Sequence, residues 1–340
     1  MHAHLGPSLL GYVGKARRSM DIDPNLARYS DLTFQTAFAV YVLAMLMFAG
    51  QYGSARVKKA HERELVGAPA APHGSPGPRV GPVVQRSWRD KFGGMGYALI
   101  VVAAVSHFAS LVLRGLATDR FPLGNMYEFT SAMVLVAVVS GLVFIRKPDQ
   151  RPLWIFVLVP VVLLVFLCGT VLYADAAPVV PALQSFWLPI HVSLAVIGSG
   201  LFLVAGVASL MFLLRIRRPE GAEGGGFVGR IAEHLPSGQS LDRIAYRTTV
   251  IAFPIFGVGV ILGAVWAEAA WGRFWGWDPK ETMSFVTWIV YAAYLHARAT
   301  AGWRDVKAAW INVTGFAMVV FNLFFINMVV SGLHSYAGLN

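Results

Sequence analysis

The sequence is short of thiols and of charge. Its 340 residues include one cysteine, Cys168, set inside an apolar run. A single cysteine excludes an internal disulfide, a CxxC redox pair and a thiolate zinc site. Charged residues make up 14% of the chain, little more than half of the roughly 25% usual in soluble proteins. Together with 56% hydrophobic residues, that shortage excludes both an ordinary water-soluble enzyme and a disordered chain. The first residues also lack the basic, apolar and small-residue order of a cleaved signal peptide. The first long apolar run begins only near Leu32.

What the chain has in excess is long apolar segments. Eight candidate spans fall at about 32–50, 93–113, 127–145, 153–172, 190–214, 248–268, 282–298 and 309–331, close to or beyond the roughly 18–20 residues that cross a bilayer. The seventh is the shortest and most polar, containing Tyr291, Tyr294 and His296. The expected fold is all-α, a polytopic membrane bundle of about eight transmembrane helices surrounded by lipid. Two parts are expected. Residues 1–90 form an extension with one span and a linker, and residues 91–340 form the main membrane domain. The linker is rich in Pro, Gly and Ala from Gly67 to Pro82, and Gly221–Gly226 reads as a second flexible connection.

The net charge of +10 would suggest nucleic acid in a soluble protein, but membrane proteins collect Lys and Arg in their cytoplasmic loops. Segments 51–91, 146–151, 215–247 and 298–307 carry 20 Lys and Arg, whereas 114–126, 173–189, 269–281 and the tail carry four. No nucleic-acid partner is therefore expected, and the first set of loops faces the cytoplasm. The N-terminus then lies outside, where Lys15, Arg17, Arg18 and Arg28 run against the rule.

Four of the ten tryptophans, Trp266, Trp271, Trp275 and Trp277, fall within twelve residues, interleaved with Gly272, Arg273, Gly276 and Asp278. One or two would read as an interfacial anchor. Four, with glycines that let the backbone approach closely, suggest an apolar platform with N–H donors at its edges. A large planar ligand such as a tetrapyrrole suits that surface. Asp278-Pro279-Lys280-Glu281 reads as a helix start, with Asp at the N-cap, Pro first and Glu third. Its positive end, with Arg273 and Lys280 nearby, would attract carboxylates. Capping alone accounts for Asp278 and Glu281 equally well.

Of nine histidines, four are candidates: His107, His191, His296 and His334, because ionisable side chains within spans are costly. The loop charges put His191 and His334 on the outer face with the tryptophans. Two imidazoles there could ligate haem iron axially, or each could simply be satisfied by a hydrogen bond. His296 lies about 20 Å into its span and His107 about 9 Å into its own. That mismatch leaves His296 without an evident mate in this chain.

The segment WGRFWGWDPKE resembles the tryptophan-rich haem motif, WGxxWxWDxxE, of the cytochrome c assembly membrane proteins. IHVSLAVIGSG around His191, YLHAR around His296, SGLHSYA around His334 and FPLGNMYE at 121–128 are similar to the CcsA/ResC branch. The resemblance runs from about residue 97 to the end and makes 91–340 a haem-handling domain. It implies a subunit of a cytochrome c synthase, part of a holocytochrome c synthase (haem lyase) complex. Such a subunit works in the plasma membrane with a ResB/CcsB-type membrane partner, delivering haem b to the outer face for attachment to the CxxCH thiols of apocytochrome c. It further implies His191 and His334 as axial ligands of the external haem, and Trp271, Trp275, Trp277 and Asp278 as its platform. His296 would ligate haem within the membrane, its mate on the partner. Trp266 and Arg273 are counted with the cofactor-binding residues, no residue is assigned as catalytic, and the role of His107 stays open. Competing readings are the haem-delivery or lyase component of the other bacterial maturation system, a b-type electron-transfer subunit, and a solute transporter.

Overall fold

The computed structural model describes residues 22–66 and 88–334. The linker from Gly67 to Pro82 and the basic residues Lys15, Arg17 and Arg18 lie outside that range. Nine α-helices form among the described residues: α1 (Pro24–Val66), α2 (Trp88–Thr118), α3 (Met126–Phe144), α4 (Trp154–Thr170), α5 (Trp187–Arg217), α6 (Gly226–His234), α7 (Gly238–Trp271), α8 (Pro279–Ala299) and α9 (Val306–Met328). Short 3-10 turns at Pro148–Leu153 and Pro181–Leu183 lead into α4 and α5.

Seven of these helices are long and apolar enough to cross a membrane. The short α6 is not among them, and neither is α8, although α8 has 21 residues. Its shortfall is one of composition, since Lys280, Glu281, His296 and Arg298 occupy its ends. Position argues that it nonetheless runs the height of the bundle. Asp278 at its start accepts a 2.7 Å hydrogen bond from the Leu333 amide beyond α9. Arg298 near its end pairs at 2.7 Å with Asp242 in the first turns of α7. Hence α8 lies antiparallel to α7 and to α9 along their length. The eight-span expectation is met by seven strongly apolar helices and this more polar one.

α1 and α2 form an antiparallel pair, from the Asp23 amide on the Ala117 carbonyl at one end to Gln51 beside Gly93 at the other. Their interface includes Ser30, Phe34, Tyr41 and His107. His107 is fully buried, with Nε2 2.8 Å from the Ser131 hydroxyl and Nδ1 3.4 Å from the Tyr41 hydroxyl. It is a core histidine satisfied by hydroxyls.

α5 is the axis of the bundle and packs on α3, α7 and α9. Every residue from Gly198 to Ser209 is buried, as expected of a helix that is apolar all round. Close approach to α3 requires Gly200, where a Cβ would come within 2.7 Å of the Met133 carbonyl oxygen. Side-chain caps fix the starts of α3 and α7. Asn125 accepts from the Glu128 amide at α3 and Ser237 from the Ser240 amide at α7, while α7 ends on Gly272 in the left-handed conformation. Connections then bring the starts of α3, α5 and α8 and the ends of α7 and α9 to one end of the bundle.

Candidate functional site

That end contains a cleft of about 1260 Å³, open mouth included, lined by His191, Trp266, Trp271, Trp275, Lys280, Glu281 and His334, with Leu123–Asn125 of the loop before α3 and Met126 at its start.

His191 sits one turn into α5. Its Nδ1 lies 2.7 Å from the carbonyl oxygen of Gly259 on α7, and because a carbonyl only accepts, Nδ1 is the protonated nitrogen. The imidazole stacks at 8° on Trp266, centroids 6.2 Å apart. α7 admits it at Gly263, where a Cβ would come within 2.6 Å of His191 Cε1.

His334 comes from the segment after α9. Its Nδ1 is 2.7 Å from Asp278 Oδ2, its ring is edge-on to Trp271 at 5.2 Å, and it lies 5.9 Å from Trp266. Trp266, 1% exposed, therefore touches both histidines. In metal sites a ligating histidine typically donates its second ring N–H to a carbonyl or carboxylate, which fixes the tautomer and raises ligand basicity. Both imidazoles have that arrangement, through Nδ1 in each case. The donor set fits an iron porphyrin: two imidazoles, indole faces, and a cationic helix end for its carboxylates.

Asp278 organises the second histidine. It is the N-cap of α8, with Pro279 first and Glu281 closing the capping box. Oδ2 accepts from the Lys280 amide at 3.1 Å, and Glu281 Oε2 accepts from the amides of Asp278 and Gly276 at 3.1 and 2.9 Å. Burial pushes the Asp278 carboxyl up, but hydrogen bonds from His334 and the Leu333 and Lys280 amides outweigh it and hold the pKa below the ordinary carboxylate value. Lys280 Nζ donates to Asn327 Oδ1 on α9.

Not every predicted residue lines the cleft. Arg273 is exposed and packs over Gly276. Trp277 is 70% exposed with φ of 57°, and meets Trp275 edge-on at 5.9 Å. With Phe285 and Trp288 it lines a second, wholly apolar groove between α7 and α8. His296 is exposed near the far end of α8, on a stripe with Phe285 and Ile289.

An ion cluster beside the cleft was not foreseen. Glu128 on α3, 0% exposed, receives Arg114 Nε at 3.0 Å and Arg120 Nη1 at 2.8 Å, and the Gly124 amide at 2.7 Å. Arg120 also donates to the Ala177 carbonyl at 3.0 Å, and Arg114 to that of Ala174. The cluster pins the loop that lines the cleft to the loop before α5. Its signal was available in the charge count: Arg114 and Arg120 are two of the four cations on the charge-poor side, and Lys280 is a third.

Fold and site together define a polytopic helical membrane protein with a two-histidine aromatic cleft at one end of its bundle. Residues 123–334 match the family model described as Cytochrome C assembly protein, and the chain belongs to that family, in its CcsA branch. It is 33% identical over 273 residues to the cytochrome c biogenesis protein CcsA of Synechococcus sp. (strain CC9902), covering 73% of this chain and 88% of the relative. The CcsA protein of Gloeobacter violaceus is also 33% identical, over 298 residues, with 72% and 87% covered. Among solved structures, "Cytochrome c Heme Lyase CcmF" superposes with a TM-score of 0.59 at 16% identity, covering 88% of this chain and 46% of that one. At that identity the likeness concerns the fold alone, and this chain spans about half the length of that structure.

Proposed function

We propose that this cytochrome c biogenesis protein binds haem b as cargo between His191 and His334, at the extracytoplasmic face of the plasma membrane, and presents it to apocytochrome c. The observation that carries the reading is that two histidines far apart in sequence, His191 on α5 and His334 after α9, both lie beside Trp266, each with Nδ1 already committed to an acceptor. Nε2 of each is then the nitrogen for iron. Trp271 and Trp275 wall the ring, while Lys280 and the amino end of α8 meet the propionates. Arg273 and Trp277, at the rim of this wall, would contact cargo or apoprotein from outside the cleft.

The haem supplies the vinyl groups that become thioether-linked, and the apocytochrome supplies both CxxCH thiols. What this chain contributes is position: ring plane, iron ligation and carboxylate anchoring are set before the thiols arrive. It requires no nucleophile of its own, in keeping with a single buried cysteine. His296, exposed on α8, would hold haem within the membrane against a histidine of a ResB/CcsB-type membrane partner, the two chains forming the holocytochrome c synthase. Residues 1–90 act in that assembly as an extension to the haem-handling domain 91–340.

The test is to co-purify His191→Ala and His334→Ala variants with the partner, and to measure bound haem and its absorption spectrum. Each is expected to lose the bis-histidine spectrum and most of the haem, with recovery by added imidazole. Unchanged loading and spectrum in both would overturn the axial assignment.

A further inference from the structure

A second concavity, at the end of the bundle opposite the tryptophans, has a different chemistry. It encloses about 980 Å³, mouth included, between the close of α3 with its 3-10 turn and the start of α7. Four cations reach it, Arg146 and Lys147 from one wall and Arg243 and Arg247 from the other, against one acid, Asp149. Arg243 and Arg247 stand one helical turn apart on the same face of α7.

Cations at this end of a membrane protein are expected from orientation alone, and most of those nearby are used within the chain. Arg298 pairs with Asp242, Arg215 with Glu220 and Glu223, and Arg218 donates to the Glu223 carbonyl. The four cavity cations make no ion pair or side-chain hydrogen bond among the described residues. The walls that carry them are tied together, because Gln150 Nε2 donates to the Ser240 hydroxyl at 3.0 Å. The amino end of α7, capped by Ser237, opens into the same space and adds its partial positive charge.

We propose that this concavity binds a phosphate group. Four exposed cations lining one concavity at the rim of the bundle match a phosphate by charge, and Arg243 and Arg247 match it also by the planar fork of their donors. Basic pockets between transmembrane helices at this level bind anionic lipid headgroups. A phosphodiester headgroup and a soluble phosphate share the chemistry, and experiment separates them.

The full chain, purified in detergent, is titrated with phosphatidylglycerol, with phosphatidylcholine and with sodium phosphate at constant ionic strength, following thermal unfolding. Phosphatidylglycerol is expected to raise the unfolding temperature where phosphatidylcholine does not. At about 1 kcal/mol per cation near a membrane surface, the double variant Arg243→Gln/Arg247→Gln should need on the order of 30-fold more phosphatidylglycerol for the same shift. Arg230→Gln, an exposed cation away from the cavity, should titrate as wild type. A response to phosphatidylglycerol alone identifies a lipid headgroup, and a response to both probes a phosphate taken from solution as well. If the α7 double variant does not fold, Arg146→Gln/Lys147→Gln on the other wall carries the same expectation. Identical titrations in wild type and variant, or no response of wild type to either probe, would overturn the proposal.

Discussion

The site depends on single atoms that hold imidazoles in place. Asp278 carries two roles, capping α8 and orienting His334, and the two can be separated. Asparagine caps as well as aspartate, so Asp278→Asn should keep α8 while removing the charge behind His334. The expected result is roughly 10- to 100-fold weaker haem retention, measured as haem per protein in the complex co-purified with the partner; unaltered retention would deny Asp278 its orienting role. Gly263→Ala probes His191, the other proposed ligand. A methyl 2.6 Å from the His191 ring must displace it, so haem loading should fall while helix content by circular dichroism stays constant. The capping residues were legible in the sequence because Asp278, Pro279 and Glu281 act within one turn. The partners of the histidines were not. His334 meets Asp278 across 56 residues, and His191 meets the Gly259 carbonyl across 68, and no local pattern encodes which backbone oxygen an imidazole will find.

Helices set the frame in which those atoms meet. Glu128 is the clearest case, since one carboxylate on α3 neutralises two arginines and so fixes two loops. Removing one member of a buried ionic cluster costs about 3–5 kcal/mol, and Glu128→Gln should lower the unfolding temperature of the detergent-solubilised protein markedly. A temperature equal to wild type would show that the cluster carries no such load. Hydropathy located seven helices well because lipid exposure and core burial both select apolar residues. It undervalued α8, whose polar ends are spent on Asp278, Glu281 and the Arg298–Asp242 pair rather than on water. It also left His107 open. Only the packing of α1 on α2 brings Tyr41 against it, with Ser131 of α3 on its other nitrogen, making it an interior residue.

For the molecule as a whole, loop charge predicts which end faces which compartment, and the cleft and the basic concavity lie at opposite ends accordingly. Cys168 is buried, so introduced thiols can report the sidedness against a quiet background. In intact cells a membrane-impermeant maleimide should label Gln184→Cys, in the loop before α5, and should label Ala222→Cys only after permeabilisation. The reverse pattern would invert the orientation. Loop charge was informative in its exceptions too: of the four cations on the poor side, Arg114 and Arg120 clamp Glu128 and Lys280 lines the cleft. The placement of His334 has one more effect, on timing. Residue 191 leaves the ribosome well before Gly259 can hold it, and residue 334 follows every helix described. The pocket is therefore complete only once residue 334 has been made. If haem is held between His191 and His334 as proposed, a copy lacking residue 334 would hold none at this site.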